Sequence, residues 1–220
     1  GEPAPGAGGR MFGARPPQVR SISHDWRAMT HPDPNLEHIV PAEHVVETTH
    51  GYPEFTGDDY KALFRHHPGG VALITAVGPD GPVALTATSV ASVSAEPPIM
   101  VFSVSEFSSS LPTLKVVETV VIHFLGADDL HLARLGATSG IDRFADASLW
   151  TELASGERVF HGTRWVRGQV LERVEAGGST LILAQAIQSN VSAANPAPEP
   201  VGLAYVNRKW YGLTDAAVIE

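Results

Sequence analysis

The stretch ALTATSVASVSAEPP, Ala84–Pro98, reads first as a β-strand, because Val, Thr and Ala dominate it and a Pro pair stops it. Between Thr86 and Ser94 it carries two Thr and three Ser, with no charge and no large side chain. A buried strand of this kind holds many hydroxyls that need partners. One reading is that the Ser and Thr cap turns and satisfy their own backbone. The other is a ligand loop: hydroxyls and backbone N–H groups can hold a phosphate without Lys, and small side chains let a flat ring lie against the main chain. The run SEFSSS, Ser105–Ser110, has the same character.

Outward from this stretch, GVALITAV (70–77) and PVALTATSV (82–90) are β-rich runs joined by Gly78-Pro79-Asp80-Gly81, which is hairpin chemistry. Upstream, Asp58 and Asp59 open a short helix in which Tyr60, Leu63, Phe64 and His67 recur at helical steps, ending at Pro68-Gly69-Gly70. Downstream, IMVFSV reads as a strand, SSSLPTLKVV as a short helix opened by a Ser cap, and TVVIHFL as a further strand. ADDLHLARLGA is an amphipathic helix ending near Gly136, and SGIDRFADASLWTEL is irregular. RWVRGQVLERVE, STLILAQAIQ and GLAYVNRKWYGL supply more strands, the first two joined by Ala176-Gly177-Gly178. Short strands in series with two or three helices predict a mainly β (α+β) chain folded as a closed or partly closed barrel.

Composition bounds the function. With 220 residues, 21 Gly and 17 Pro, the chain suits one turn-rich domain plus an arm. A net charge of -9 argues against a nucleic-acid surface and against docking on anionic lipid. There is no Cys for a disulfide, a thiolate metal site or a nucleophile. No apolar run is long enough to span a membrane, and GEPAPGAGGR lacks the features of a signal peptide, so a cytoplasmic protein is expected. Residues 1–20 are expected to be disordered. The five histidines His24, His31, His38, His44 and His50 lack the local spacing of a zinc site and are read as part of an N-terminal arm. The expected division is therefore an extension, 1–57, and a domain, 58–220. No G-x-G-x-x-G, P-loop, G-x-S-x-G or H-E-x-x-H pattern is present.

In order along the chain, FRHHPGGVALITA, LTATSVASVSAEPPIMVFSV, SEFSSSLPTL, VVIHFL, DRFADASLW and GLAYVNRKWYGL together resemble the flavin reductase-like family, the FMN-binding split barrels. The resemblance covers roughly Asp59 to Leu213, and its most specific element is the T-x-x-S-x-x-S-V-S-x-x-P-P pattern of Thr86–Pro98. It implies a split β-barrel with a few short helices that binds FMN or FAD. By position it places Thr86, Ala87, Thr88 and Ser89 near the ribityl chain and phosphate, and Ala91, Ser92, Val93 and Ser94 along the isoalloxazine ring. Ser108, Ser109 and Ser110 would complete the phosphate cradle at a helix start. His67 and Pro68 would sit near the ring, with His123, Phe124 and Leu125 lining the far side. Arg143 and Phe144 fall close to the flavin or nicotinamide cleft on the same reading; from the residues alone, Arg143 reads equally as a partner of Asp142 or Asp146. Tyr205 and Trp210 are either a cover for the flavin from a second subunit or core aromatics.

The implied activity is NAD(P)H-dependent flavin reduction, with hydride passing from nicotinamide C4 to flavin N5 and reduced flavin passing to a partner monooxygenase. The implied assembly is a homodimer. One departure bears on turnover. Many family members carry Gly-Asp-His in the turn before a late strand, and here Gly178 stands for the Asp and Ser179 for the His, so a group that cannot titrate near neutral pH replaces an imidazole. The alternative expectation is accordingly a flavin-binding barrel with a different redox or accessory role.

Overall fold

The computed structural model describes residues 55–192 and 199–219 together with Gly1. The arm with His24, His31, His38, His44 and His50, and the stretch expected to be disordered, lie outside the described residues apart from Gly1. The helices are α1 (Gly57–Arg65), α2 (Leu111–Leu114) and α3 (Leu130–Ala137). The strands are β1 (Gly69–Gly70), β2 (Ala72–Gly78), β3 (Gly81–Ala87), β4 (Ala91–Ala95), β5 (Pro98–Ser105) and β6 (Thr119–Phe124). They continue with β7 (Trp150–Glu152), β8 (Arg158–Phe160), β9 (Arg164–Ala176), β10 (Ser179–Ser189), β11 (Gly202–Val206) and β12 (Lys209–Leu213).

A seven-stranded antiparallel sheet in the order β3-β2-β6-β9-β10-β5-β4 forms the body of a split β-barrel. Its interior takes alternate residues of each strand: Ala72, Ile74 and Ala76 from β2, Phe102 and Val104 from β5, Val120 and Ile122 from β6, Ile182 and Ala184 from β10. The short helix α2 adds Leu111 and Leu114. The opposite face of β2 and β3 is covered as well, by Leu132 and Ala133 of α3 and by Phe144 and Phe160, which pack on Leu73 and Ala84. Burial on both faces explains why β2 is a continuous apolar run rather than an alternating one.

Tight turns set the register. Gly78 pairs with Gly81 around Pro79-Asp80, and Gly81 has φ +111°. Thr56 caps α1: its Oγ1 accepts from the Asp59 N–H at 3.2 Å while its own N–H donates to the Asp59 carboxylate at 2.9 Å. Those bonds from Thr56 hold the Asp59 carboxyl below its usual value.

Four elements differ from expectation. The hydroxyl-rich stretch contains its own strand, β4, paired to β5 with an irregularity between Ser92 and Ser94. Residues 139–153 are less irregular than they read, because Trp150–Glu152 pairs with Arg158–Phe160 as a small ribbon. GLAYVNRKWYGL is two strands rather than one, turning at Asn207 (φ 48°) and Arg208 (φ 60°). Ser110 occupies the position before α2 without capping it; its hydroxyl is buried and donates to the Ala84 carbonyl at 3.3 Å.

The contact between α3 and β3 is close enough to exclude a methyl group. A Cβ on Gly136 would lie 2.3 Å from Leu73 Cδ1, 2.4 Å from Thr86 Oγ1 and 2.9 Å from Thr86 N. Alanine is the better helix former by about 1 kcal/mol, but the backbone nitrogen cannot step aside as a flexible side chain can. Gly136→Ala is therefore expected to lower stability by about 1–3 kcal/mol, read as an earlier urea unfolding midpoint.

Candidate functional site

Where β3 leaves the barrel, Thr88-Ser89-Val90 crosses to β4, and the fold pins this crossing from two sides. The Ser89 hydroxyl accepts from the Ser103 N–H at 3.0 Å and reaches the Ser103 carbonyl at 3.2 Å, fastening the loop to β5. From the other side the chain at Gly69 approaches so closely that a Cβ there would be 2.8 Å from Thr88 Cβ and 2.9 Å from its carbonyl oxygen. Gly69 and Gly70 pair with Tyr205 and Ala204 of β11, so the late hairpin is drawn to the same place. The Asn207 N–H then donates to the Arg65 carbonyl at 2.7 Å, joining the hairpin turn to the end of α1.

These contacts enclose a cavity of about 790 Å³, within the range of small-molecule and cofactor sites. One wall is His67, Pro68, Gly69 and Gly70, a second is Thr88, Ser89, Val90, Ala91 and Ser103, and a third is Tyr205, Asn207 and Arg208. Tyr60, Lys61, Phe64 and Arg65 of α1 complete it. The α1 wall is aromatic: Tyr60 and Phe64 have ring centroids 4.5 Å apart, and Phe64 meets His67 edge-on at 6.0 Å. Val90 also borders two adjoining grooves of about 510 and 320 Å³, which share Phe124. Ser92, Ser94 and Ala91 line the smaller, Leu125 the larger.

The candidate residues thus divide. His67, Pro68, Thr88, Ser89 and Ala91 meet around the main cavity, while Ser92, Ser94 and Phe124 lie along the grooves beside it. Thr86 and Ala87 are turned away: the Thr86 hydroxyl donates to the Ala133 carbonyl of α3 at 2.6 Å, and Ala87 belongs to the barrel interior. Val93 is exposed on β4 and lines none of the three. Ser108, Ser109 and Ser110 stand at the start of α2, outside the three, where the Ser108 hydroxyl accepts from the Ser110 N–H at 3.3 Å. Arg143 donates to the Thr138 carbonyl at 2.7 Å and forms no ion pair with Asp142 or Asp146 among the described residues. Phe144 is core, meeting Trp150 edge-on and packing tilted against Phe160. Trp210 packs on Tyr205 at 4.5 Å, and of the two only Tyr205 reaches the main cavity.

His123 is fully buried rather than cavity-lining. Its Nδ1 donates to the Leu73 carbonyl at 3.0 Å and its Nε2 accepts from the Phe160 N–H at 3.1 Å, an arrangement that only the neutral Nδ1–H tautomer satisfies. Burial pushes its pKa down to about 4, outweighing the bond to Leu73. Ser179 opens β10 opposite Ser105, outside the three cavities. Beside it, a Cβ on Gly178 would come within 3.1 Å of the Glu106 carboxylate, and the Glu106 N–H donates to the Gly178 carbonyl at 3.0 Å. A carboxylate at 178 would crowd one already supplied by β5's end.

Among the described residues the cavity lining holds Lys61, Arg65 and Arg208 and no Asp or Glu, on a chain of net charge -9. Sequence reading missed these cations and the aromatic face of α1, because what gathers them is the pairing of β1 with β11, a contact across more than a hundred residues. Hydroxyls, flat aromatic faces and the guanidinium groups of Arg65 and Arg208, which have no ion-pair partner among the described residues, together fit a planar molecule that carries an anionic group, and so fit a phosphorylated flavin. No cluster of three or more potential metal ligands occurs among the described residues. No helix among them is long and apolar enough to cross a membrane.

Residues 64–214 match the family model described as the flavin reductase like domain. The chain is 43% identical over 159 residues to an NADH:FMN oxidoreductase of Rhodococcus qingshengii, spanning 70% of this chain and 80% of that protein. It is 23% identical over 138 residues to the reductase component of a 4-nitrophenol 4-monooxygenase/4-nitrocatechol 2-monooxygenase of Rhodococcus opacus, spanning 63% of this chain and 74% of that one. Among solved structures, a flavin reductase domain protein from Arthrobacter sp. FB24 is similar with a TM-score of 0.65 at 26% identity, covering 71% of this chain and 94% of that chain.

Proposed function

This chain belongs to the flavin reductase-like family, and from that premise we propose that the cavity between α1, the Thr88–Ala91 crossing and the β11–β12 turn holds its flavin. The protein is an oxidoreductase that reduces flavin with NADH or NADPH. The observation that carries the site is the enclosure of Thr88, Ser89 and Ala91 against His67, Pro68 and Gly69 in one cavity. When bound, the flavin supplies a hydride acceptor at N5. The chain's own contribution is positioning: the Ser89–Ser103 bonds fix the crossing, Gly69 lets the backbones close up, and the small side chain of Ala91 would leave room for a flat ring. Ser179 has no part in this arrangement. The accessory reading loses ground, because the relative at 43% identity is itself named as an NADH:FMN oxidoreductase.

FMN is the flavin this reading favours over FAD, in keeping with that relative, and reduced flavin passes to a partner flavin-dependent monooxygenase, as the likeness to a reductase component supports. The cytoplasm, which supplies reduced nicotinamide, is the compartment that suits the reaction. The division into an extension of residues 1–57 and a catalytic domain of residues 58–220 belongs to the same proposal. So does a homodimer: α1 buries none of its residues, and Tyr60, Leu63 and Phe64 remain 52–64% exposed beside the site. Size-exclusion chromatography with light scattering is expected to give twice the mass of the 23.3 kDa chain, and a monomer would contradict the dimer.

The flavin site is tested by titrating the purified protein into FMN. Quenching of flavin fluorescence to a saturating end point is the expected outcome; unchanged fluorescence together with a colourless protein would refute it.

A further inference from the structure

Arg65 and Arg208 come from the two ends of the described chain and meet on one cavity. Arg65 is the last residue of α1, Arg208 sits in the β11–β12 turn, and the bond from the Asn207 N–H to the Arg65 carbonyl, 2.7 Å, holds the two segments together. The cations found in ion pairs among the described residues are Lys61, Lys115 and Arg167, paired with Asp58, Glu175 and Glu157. Neither Arg65 nor Arg208 has a carboxylate partner there, and no carboxylate lines their cavity among the described residues. Charges left unopposed on an acidic chain mark a place where an anion is wanted.

The backbone of Arg208 points the same way. Its φ of 60° is left-handed, at the second turn position of a tight hairpin, where Gly is the favoured residue. A side chain with a Cβ is disfavoured in that conformation. The hairpin pairing of Val206 with Lys209 holds that backbone, while the guanidinium forms no ion pair among the described residues.

Resting on the flavin reading above, we propose that Arg65 and Arg208 form a phosphate clamp that makes the enzyme select phosphorylated cofactors over their unphosphorylated counterparts. Guanidinium groups are suited to this because they present paired donors to phosphate oxygens and stay charged at any working pH. The phosphate is either that of the flavin's ribityl chain or the pyrophosphate of the nicotinamide dinucleotide.

Binding measurements separate these sources. FMN is compared with riboflavin by fluorescence quenching, and NADH with reduced nicotinamide riboside by competition or direct titration, for wild type, Arg65→Gln, Arg208→Gln and Arg208→Gly. The clamp predicts that each variant loses about tenfold in affinity for the phosphorylated member of one pair, with its unphosphorylated member unaffected. The affected pair identifies the phosphate. Arg208→Gly removes the charge while suiting the left-handed turn, so it should keep the wild-type thermal midpoint and still bind weakly, which a purely structural role would not produce. Wild-type binding should weaken as salt rises. Equal losses for both members of a pair, or no loss in any variant, overturn the clamp and leave the flavin reading standing. A wild-type protein that binds neither flavin nor nicotinamide overturns both.

Discussion

Glu157→Ala is expected to lower the stability of this protein by about 3–5 kcal/mol, the largest effect of any single substitution considered. Glu157 immediately precedes β8 and is 3% exposed. Its carboxylate lies 2.7 Å from Arg167 Nε on β9 and accepts from the Thr119 hydroxyl on β6. Three elements close on one carboxylate, so the small β7–β8 ribbon is fastened to the sheet there. Burial alone would raise the Glu157 pKa, but hydrogen bonds from Ser155, Thr119 and Arg167 outweigh it and hold the group below its ordinary value. Removing the carboxylate leaves a largely buried guanidinium without its counter-charge. Urea unfolding measures the loss. The double variant Glu157→Ala/Arg167→Met should recover much of it, since the penalty comes from the orphaned charge rather than from the missing attraction. A single variant as stable as wild type would show that water or another group compensates.

The second large effect is a loss of stability on mild acidification, carried by His123. Its folded pKa is lowered from 6.5 to about 4, so the unfolded chain binds the proton first as pH falls. The contribution of the neutral ring is fully present above pH 6.5 and is lost progressively between there and pH 4. The slope is about 1.4 kcal/mol per pH unit, for a total of about 3 kcal/mol. Protonation would set an N–H on Nε2 against the Phe160 N–H that now donates to it. Urea midpoints measured across this range should fall steadily, starting well before any loss from Glu157, whose contribution is fully present above its ordinary value of 4.5 and is lost only as the pH falls from there through the lowered folded value. A flat profile between pH 6.5 and 4 would contradict the buried neutral imidazole.

The outline of the fold was legible where local chemistry decides it. Pro79-Asp80 between two apolar runs specifies the β2–β3 hairpin, and Gly177-Gly178 specifies the β9–β10 turn. What lay hidden depends on partners far away in sequence. The Thr86 hydroxyl looks like any other in ALTATSVASVSAEPP, yet its partner is the Ala133 carbonyl, 47 residues on. Ser110 reads as a cap and is instead tied to Ala84 on β3. The hydroxyls of that stretch therefore serve two purposes. Those of Thr86 and Ser89 hold the fold, while exposed Thr88 and Ser92 face the cavity and its groove. His123 reads as a pocket residue within VVIHFL, and only its burial on both faces of β6 shows it to be a structural tie. The cationic side of the site could not be read locally, because Arg65 and Arg208 become neighbours only once β1 pairs with β11.

Ser179, the departure from the family pattern expected to bear on turnover, is not among the described residues that line the proposed flavin cavity. The reductase reading therefore rests on the cavity rather than on a side chain acting as acid or base. The direct test is the oxidation of NADH by the purified full chain, followed by loss of reduced-nicotinamide absorbance with and without added FMN. Rapid oxidation that depends on both protein and FMN is the predicted result; no oxidation with either nicotinamide and either flavin would contradict it.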